Sequence, residues 1–382
     1  MNFGRLRDFI DYYLPMLGVP GSDTVIYKNH EEIFRYSSGF ENLRDRTPIN
    51  NNLLYNIYSC TKISTCVAAL QLIERGEILI DDPVYVYIPE YKNLKVLRTP
   101  SSSSNDTVNA DNPLLIKHLF TMTTGYDYVL NRPSIDRVRA ETEGRCPTLD
   151  VVKALASDPL LLNPGVKYCY GLSHDILGGV IEAVSGMTLE EYMQKNVFGP
   201  LGMKDTTYQI TDKNRGRVAT QYDYDAVGRC AVEVDKESNE YRFGTEYCGG
   251  GAGLISSVDD YILLIDALAN DGVGKNGYRV LSSRSVELLR SPMLTKEQQS
   301  GFEQGIHKGY DYCYGVRALR DPATAGTLCT KGAFGWDGKR MCLAISDPEN
   351  KIAIFHAEQI SRLNSIIVPR LINVIYSCLD ED

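Results

Sequence analysis

In the stretch "YNIYSCTKISTCVAALQLIERGEILIDDPV" the apolar positions Ile63, Val67, Leu70 and Ile73 recur at helical spacing, and Gly76 offers a stop. Earlier, Phe3, Leu6, Ile10, Tyr13 and Leu17 fall on one face and predict an N-terminal helix. Between the two, "SDTVIYKNHEEIFRYSSGFEN" holds two β-prone runs around a polar turn at Asn29, which predicts a hairpin. After the Gly76 stop, "DDPVYVYIPEY" reads as an irregular exit and "RTPSSSSNDTVNADNP" as a mobile polar loop. Helical patterns then dominate, in "PLLIKHLFTMTTG", "TLDVVKALASDPLLL", "DILGGVIEAVSG" and "TLEEYMQKNVFGPLGM". A glycine-rich turn and a further amphipathic helix follow in "EYCGGGAGLISSVDDYILLIDALAND". Finally, "MCLAISDPENKIAIFHAEQ" predicts strand, turn and strand, and "RLNSIIVPRLINVIYSCL" a helix that runs through Pro369.

Strands thus lie towards both ends of the chain, with helices between. The predicted class is α+β: one antiparallel sheet built from both chain ends, flanked by helices, with an inserted all-helical domain. Residues 1–95 and 245–382 make up the discontinuous sheet-bearing domain in this reading, and 96–244 the mainly helical one.

A length of 382 residues suits one large or two interleaved domains, and 43% hydrophobic with 23% charged residues is the composition of a globular protein. The net charge of -9, without a concentrated basic patch, speaks against a nucleic-acid partner. No apolar run is long enough to span a membrane, and the N-terminus lacks the core and cleavage site of an export signal. A cytoplasmic location is expected, so the ten scattered cysteines read as free thiols and the sequon at Asn105 carries little weight. The five histidines do not pair at ligand spacing, and neither a metal nor another cofactor is expected. The run Gly249 to Gly253 lacks the spacing of a phosphate loop and reads as close backbone packing.

The candidate chemistry begins at Ser59 and Lys62, three apart at the start of the first long apolar run. On spacing alone this is an N-capping serine followed by a solvated lysine. The other reading joins a hydroxyl, an amine and a positive helix end into an activated nucleophile.

The rest of the chain bears on that choice. The Ser59 region resembles the SxxK signature of the serine β-lactamase and penicillin-binding-protein superfamily, in particular the branch of the class C β-lactamases and the β-lactamase-fold esterases. In order along the chain, "IKHLFTMTTGYDY", "LLNPGVKYCYGLSHDILGGVIEAVSG", "YMQKNVFGPLGMKDTTY", "GGGAGLISSVDDY" and "FGWDG" are similar to later family segments. The resemblance implies a site between the sheet and the helical domain, with Ser59 as nucleophile and Lys62 as base or proton relay. Tyr170, at the tyrosine of the Tyr-x-Asn motif, would share the proton traffic, with Tyr168 as the competing assignment. The backbone N–H groups of Ser59 and Lys339 would form the oxyanion hole.

Two motifs depart from the family pattern. Leu172 stands where an asparagine amide would hydrogen-bond substrate and lysine. Trp336, Asp337 and Gly338 replace Lys-Thr-Gly, which removes the cation that pairs with a substrate carboxylate. As substrate-binding residues, these four point to uncharged ester-like substrates, although Trp336 also reads as an ordinary core tryptophan. His118 reads as structural, Asp175 as a first-turn residue of the helix that His174 and Asp175 open, and Cys60 and Cys169 as thiols open to inactivating reagents. No GxSxG elbow supports a Ser-His-Asp triad. The expected protein is a serine hydrolase, a carboxylesterase acting on a small-molecule ester. The alternatives are a peptidase or amidase, an acyltransferase with weak β-lactam turnover, and a non-catalytic binding protein on the same fold.

Overall fold

The computed structural model describes residues 1–99 and 106–379. Residues 100–105 of the expected loop over "RTPSSSSNDTVNADNP", Asn105 of the sequon among them, fall outside them. Within them, Thr107–Asn109 pairs as a short strand with Lys95–Leu97.

Eight strands form one sheet in the order Tyr310–Tyr312, Arg317–Leu319, Phe334–Asp337, Cys342–Asp347, Ile352–Ala357, Gly21–Lys28, Glu31–Asn42 and Thr47–Pro48. The two ends of the chain meet where Gly21–Lys28 pairs antiparallel with Ile352–Ala357, from Asp23 opposite Ala357 to Lys28 opposite Ile352. Asn29 and His30 both take left-handed backbone angles, the geometry a two-residue hairpin turn requires.

Strand alternation assigns the faces. Tyr36 and Ser38 donate to Asp11 of the N-terminal helical stretch, and Asp347 accepts from Tyr376 of the helix Asn364–Leu379, so both terminal helices cover one face. Ser346 points the other way and donates to the Ile265 carbonyl of the helix Val258–Ala269. The helix Thr61–Glu74 lies on that second side and is buried all round from Thr61 to Leu72. It is therefore a central core helix.

One continuous apolar core joins the sheet to the inserted helices, of which Ser173–Ser185 packs against Thr61–Glu74. The insertion also carries two hairpins, Lys95–Leu97 with Thr107–Asn109 and Gln221–Asp225 with Cys230–Val234. Their strands are short and partly exposed, too short for a two-residue period to stand out in sequence. Among the described residues, no helix is long and apolar enough to cross a membrane.

Candidate active site

Ser59 does not cap the long helix. It sits in the tight turn Tyr58–Cys60 just before Thr61–Glu74. Tyr58 holds a left-handed φ of 45°, a conformation that side chains other than glycine rarely adopt and that costs about 1–3 kcal/mol. Its buried ring is tied down by Gln221, which accepts from the hydroxyl at 2.5 Å, and by Arg340 Nε, which donates to it at 3.1 Å. The strained turn is thus fixed from behind and leaves Ser59 half-buried at its apex.

Lys62 follows one helical turn later and is fully buried. Its Nζ lies 3.0 Å from Ser59 Oγ, 2.9 Å from the Tyr128 hydroxyl and 2.6 Å from the Gly251 carbonyl oxygen. Burial brings its pKa down to about 7, against the opposing pull of the Asp175 carboxylate. A neutral amine has two N–H groups and one lone pair. The Gly251 carbonyl can only accept, so it takes one N–H, while either hydroxyl can donate to the lone pair.

Tyr170 donates to Ser59 Oγ at 2.9 Å and accepts from Trp336 Nε1 at 3.0 Å. Burial holds its pKa above the usual phenol value, so it carries its proton at neutral pH. Its ring stacks on Trp336 with centroids 5.8 Å apart. Tyr168 packs instead against Phe302 and Tyr312. The structure therefore brings Ser59, Lys62 and Tyr170 together.

The residues expected at the substrate are distributed differently. Trp336 is only 4% exposed and acts as a hydrogen-bond donor to Tyr170 as well as a wall. Leu172 is buried in the core at the start of the helix Ser173–Ser185, which corrects its expected contact with substrate. Asp337 follows Trp336 on the strand and so points to the opposite face, where it pairs with Arg317 and accepts from Asn364 Nδ2 at 2.7 Å. Gly338 serves close packing: a Cβ on it would lie 2.4 Å from the Ile57 carbonyl oxygen, so its glycine lets the strand end approach the Ser59 turn. Its N–H is taken by the Cys342 carbonyl, and Lys339 follows in the turn beyond.

Sequence reasoning missed Tyr128 and the Gly251 carbonyl. Tyr128 ends the quoted "TTGYDY" run, but nothing local separates it from the other tyrosines. The glycine run does pack closely: a Cβ on Gly250 would come within 2.4 Å of the His174 carbonyl oxygen. Asp175 is a first-turn residue as read, and is also the buried carboxyl behind Lys62, accepting from Tyr247 at 2.9 Å. The Leu115 N–H donates to His118 Nδ1, which tidies a helix start. Cys60 is buried with its thiol pKa raised, and Cys169 is half-buried with its own pushed up to about 11. Neither is a ready thiolate, which speaks against the expected sensitivity to thiol reagents. Among the described residues, no three His, Cys, Asp or Glu side chains gather as a metal site.

A large antiparallel sheet packed on helices, with a serine, a buried lysine and a tyrosine in mutual contact, is the architecture of the penicillin-recognising enzymes and their relatives. Residues 6–357 match the Beta-lactamase family, and the chain belongs to it. It is 28% identical over 365 residues to Protein Rv1367c of Mycobacterium tuberculosis, covering 94% of this chain and 89% of that one. It is 26% identical over 354 residues to Esterase EstB of Burkholderia gladioli, covering 87% and 84%. The fold is also that of EstCE1, described as a hydrolase with promiscuous acyltransferase activity, with a TM-score of 0.79, 22% identity and 97% of each chain covered.

Proposed function

We propose that this protein is a carboxylesterase that works through an acyl-enzyme on Ser59. The observation that carries the reading is Ser59 Oγ held between Lys62 Nζ at 3.0 Å and the Tyr170 hydroxyl at 2.9 Å, with the lysine's pKa brought down to about 7. A serine hydroxyl needs a base within hydrogen-bond reach, and a lysine serves as one only when it is partly neutral at working pH.

In acylation Lys62 takes the Ser59 proton as Oγ attacks the ester carbonyl. The oxyanion is held by the backbone N–H groups of Ser59 and Lys339; losing one such donor typically lowers the rate ~10²–10³-fold. As the C–O bond breaks, Tyr170 gives its proton to the leaving alkoxide and regains one from Lys62. The Ser59 proton has then in effect passed to the alcohol. Water repeats the sequence in reverse to free the acid. Trp336 Nε1 steadies the Tyr170 oxygen while it is without its proton.

An uncharged ester suits the site because Arg317 is already paired with Asp337. Acyl transfer to an alcohol shares the same intermediate, and the EstCE1 description supports keeping it as the second reading. Hydrolysis of p-nitrophenyl acetate, butyrate and octanoate beside a chromogenic cephalosporin, for wild type and Ser59→Ala, tests the proposal. Ester cleavage that Ser59→Ala abolishes, with the cephalosporin hardly touched, is the expected result. Faster cephalosporin turnover, or ester cleavage that survives in Ser59→Ala, would refute it. Adding a small alcohol measures how much acyl group goes to an acceptor other than water.

A further inference from the structure

The chain from Asp235 to Leu254 carries no helix or strand, an uncommon length of loop in a compact fold and usually a functional one. Its two ends are pinned by buried side chains. Gln221 Nε2 donates to the carbonyls of Lys236 and Ser238, each at 2.9 Å, and Asn239 Nδ2 donates to the Ala252 carbonyl at 2.9 Å. Beside the Asn239 anchor the tip, Glu240 and Tyr241, lies against residues that surround the proposed nucleophile. The Tyr241 ring meets Tyr128 edge-on with centroids 5.1 Å apart and Tyr58 at 6.3 Å, and Lys339 Nζ sits 5.6 Å from its centre. Tyr58 precedes Ser59, Tyr128 touches Lys62, and Lys339 carries the proposed second oxyanion amide. One half-buried ring therefore reaches all three supports of the site. The Tyr241 N–H donates to Asn239 Oδ1 at 3.0 Å, and the outer side of the tip is held by an ion pair between Glu240 and Lys339, both exposed.

The proton pathway gives this ring a direction. A leaving alkoxide must face the Tyr170 hydroxyl, beside Trp336, in order to be protonated. The acyl chain must leave the reacting carbon in another direction. We propose, building on the serine-esterase reading above, that it runs towards the ring of Tyr241, that this ring sets the upper size limit on the acyl group that Ser59 accepts, and that the Glu240–Lys339 pair helps hold it in place. The favoured substrates are then esters of short acids. Longer acyl chains require the Tyr241 side chain to turn aside from its anchored backbone, which an exposed ion pair resists only weakly.

The test compares kcat/KM for p-nitrophenyl octanoate and p-nitrophenyl acetate in wild type, Tyr241→Ala, Tyr241→Phe and Glu240→Gln, with fluorophosphonate labelling of Ser59 in each. Tyr241→Ala should raise the octanoate-to-acetate ratio by about 10-fold or more, the scale on which pocket size discriminates apolar groups. Tyr241→Phe keeps the ring and should keep the wild-type ratio. Glu240→Gln removes no ring and should move the ratio the same way by about 2- to 5-fold, the scale of an exposed ion pair. If the ratio stays put in both Tyr241→Ala and Glu240→Gln while Ser59 is labelled and esters are cleaved, Tyr241 does not set the limit. If folded wild type cleaves no ester and Ser59 stays unlabelled, the serine-esterase reading fails and this inference falls with it.

Discussion

Replacing Lys62 with methionine tests the electrostatic basis of the site without relying on a substrate. The amine is fully buried, and its pKa falls from 10.5 to about 7 on folding because burial disfavours the charge. Between those two values the unfolded chain holds a proton that the folded one has released. The sign follows from linkage: where the unfolded state binds more protons, stability rises with pH, by about 1.4 kcal/mol per pH unit for one group. From pH 6 to pH 9 the Lys62 contribution to wild-type stability therefore improves by about 3 kcal/mol. Lys62→Met lacks this titration. It leaves the Gly251 carbonyl without its partner at about 1–3 kcal/mol, an offset independent of pH. Asp175 loses the nearby Lys62 charge in the variant, so its burial-raised pKa rises further there and adds to the pH dependence in the same direction. Urea unfolding of both proteins at pH 6, 7.5 and 9 and fixed ionic strength should show wild type gaining on the variant as pH rises. Wild-type kcat/KM should climb through a limb near pH 7, and the variant should lose about 10²–10⁴-fold in rate. A stability difference that stays constant across the pH range would refute a depressed lysine, and with it the assignment of Lys62 as the base.

Tyr128→Phe deletes an oxygen that accepts from the charged amine, so the Lys62 proton is held less tightly and the acidic limb of kcat/KM should move to lower pH by about half a unit to one unit; an unmoved or raised limb would show that Tyr128 does not bear on the base. Asp337→Asn leaves the buried Arg317 guanidinium without its counter-charge and should lower stability by about 3–5 kcal/mol in urea unfolding. A loss below 1 kcal/mol would mean that Arg317 finds other partners or water.

The pair at 336 and 337 shows why neighbouring letters of one motif end in different roles. "FGWDG" invites reading all its residues as substrate contacts. A strand turns successive side chains to opposite faces, so Trp336 reaches Tyr170 while Asp337 reaches Arg317 and Asn364. The alternation was readable in the sequence, but which face holds the site was not. Leu172 shows the complementary difficulty. The loss of an amide at that position is plain from the letter, yet what meets the lysine is Tyr128, supplied by a separate loop.

Local pattern and spacing were enough to mark the strands near both chain ends, the hairpin turn at Asn29, the stop at Gly76 and the ordered series of motifs, because period, turn chemistry and short-range spacing are properties of contiguous residues. Ser59 and Lys62 are three apart and meet wherever that segment coils. Tertiary structure decided everything that depends on distant segments meeting. It buried Lys62 and so lowered its pKa, selected Tyr170 over Tyr168 as the tyrosine that touches Ser59, and brought Tyr128, the Gly251 carbonyl and the Tyr241 ring around the pair. Burial and long-range contact arise only when the whole chain packs, and no window of sequence contains them.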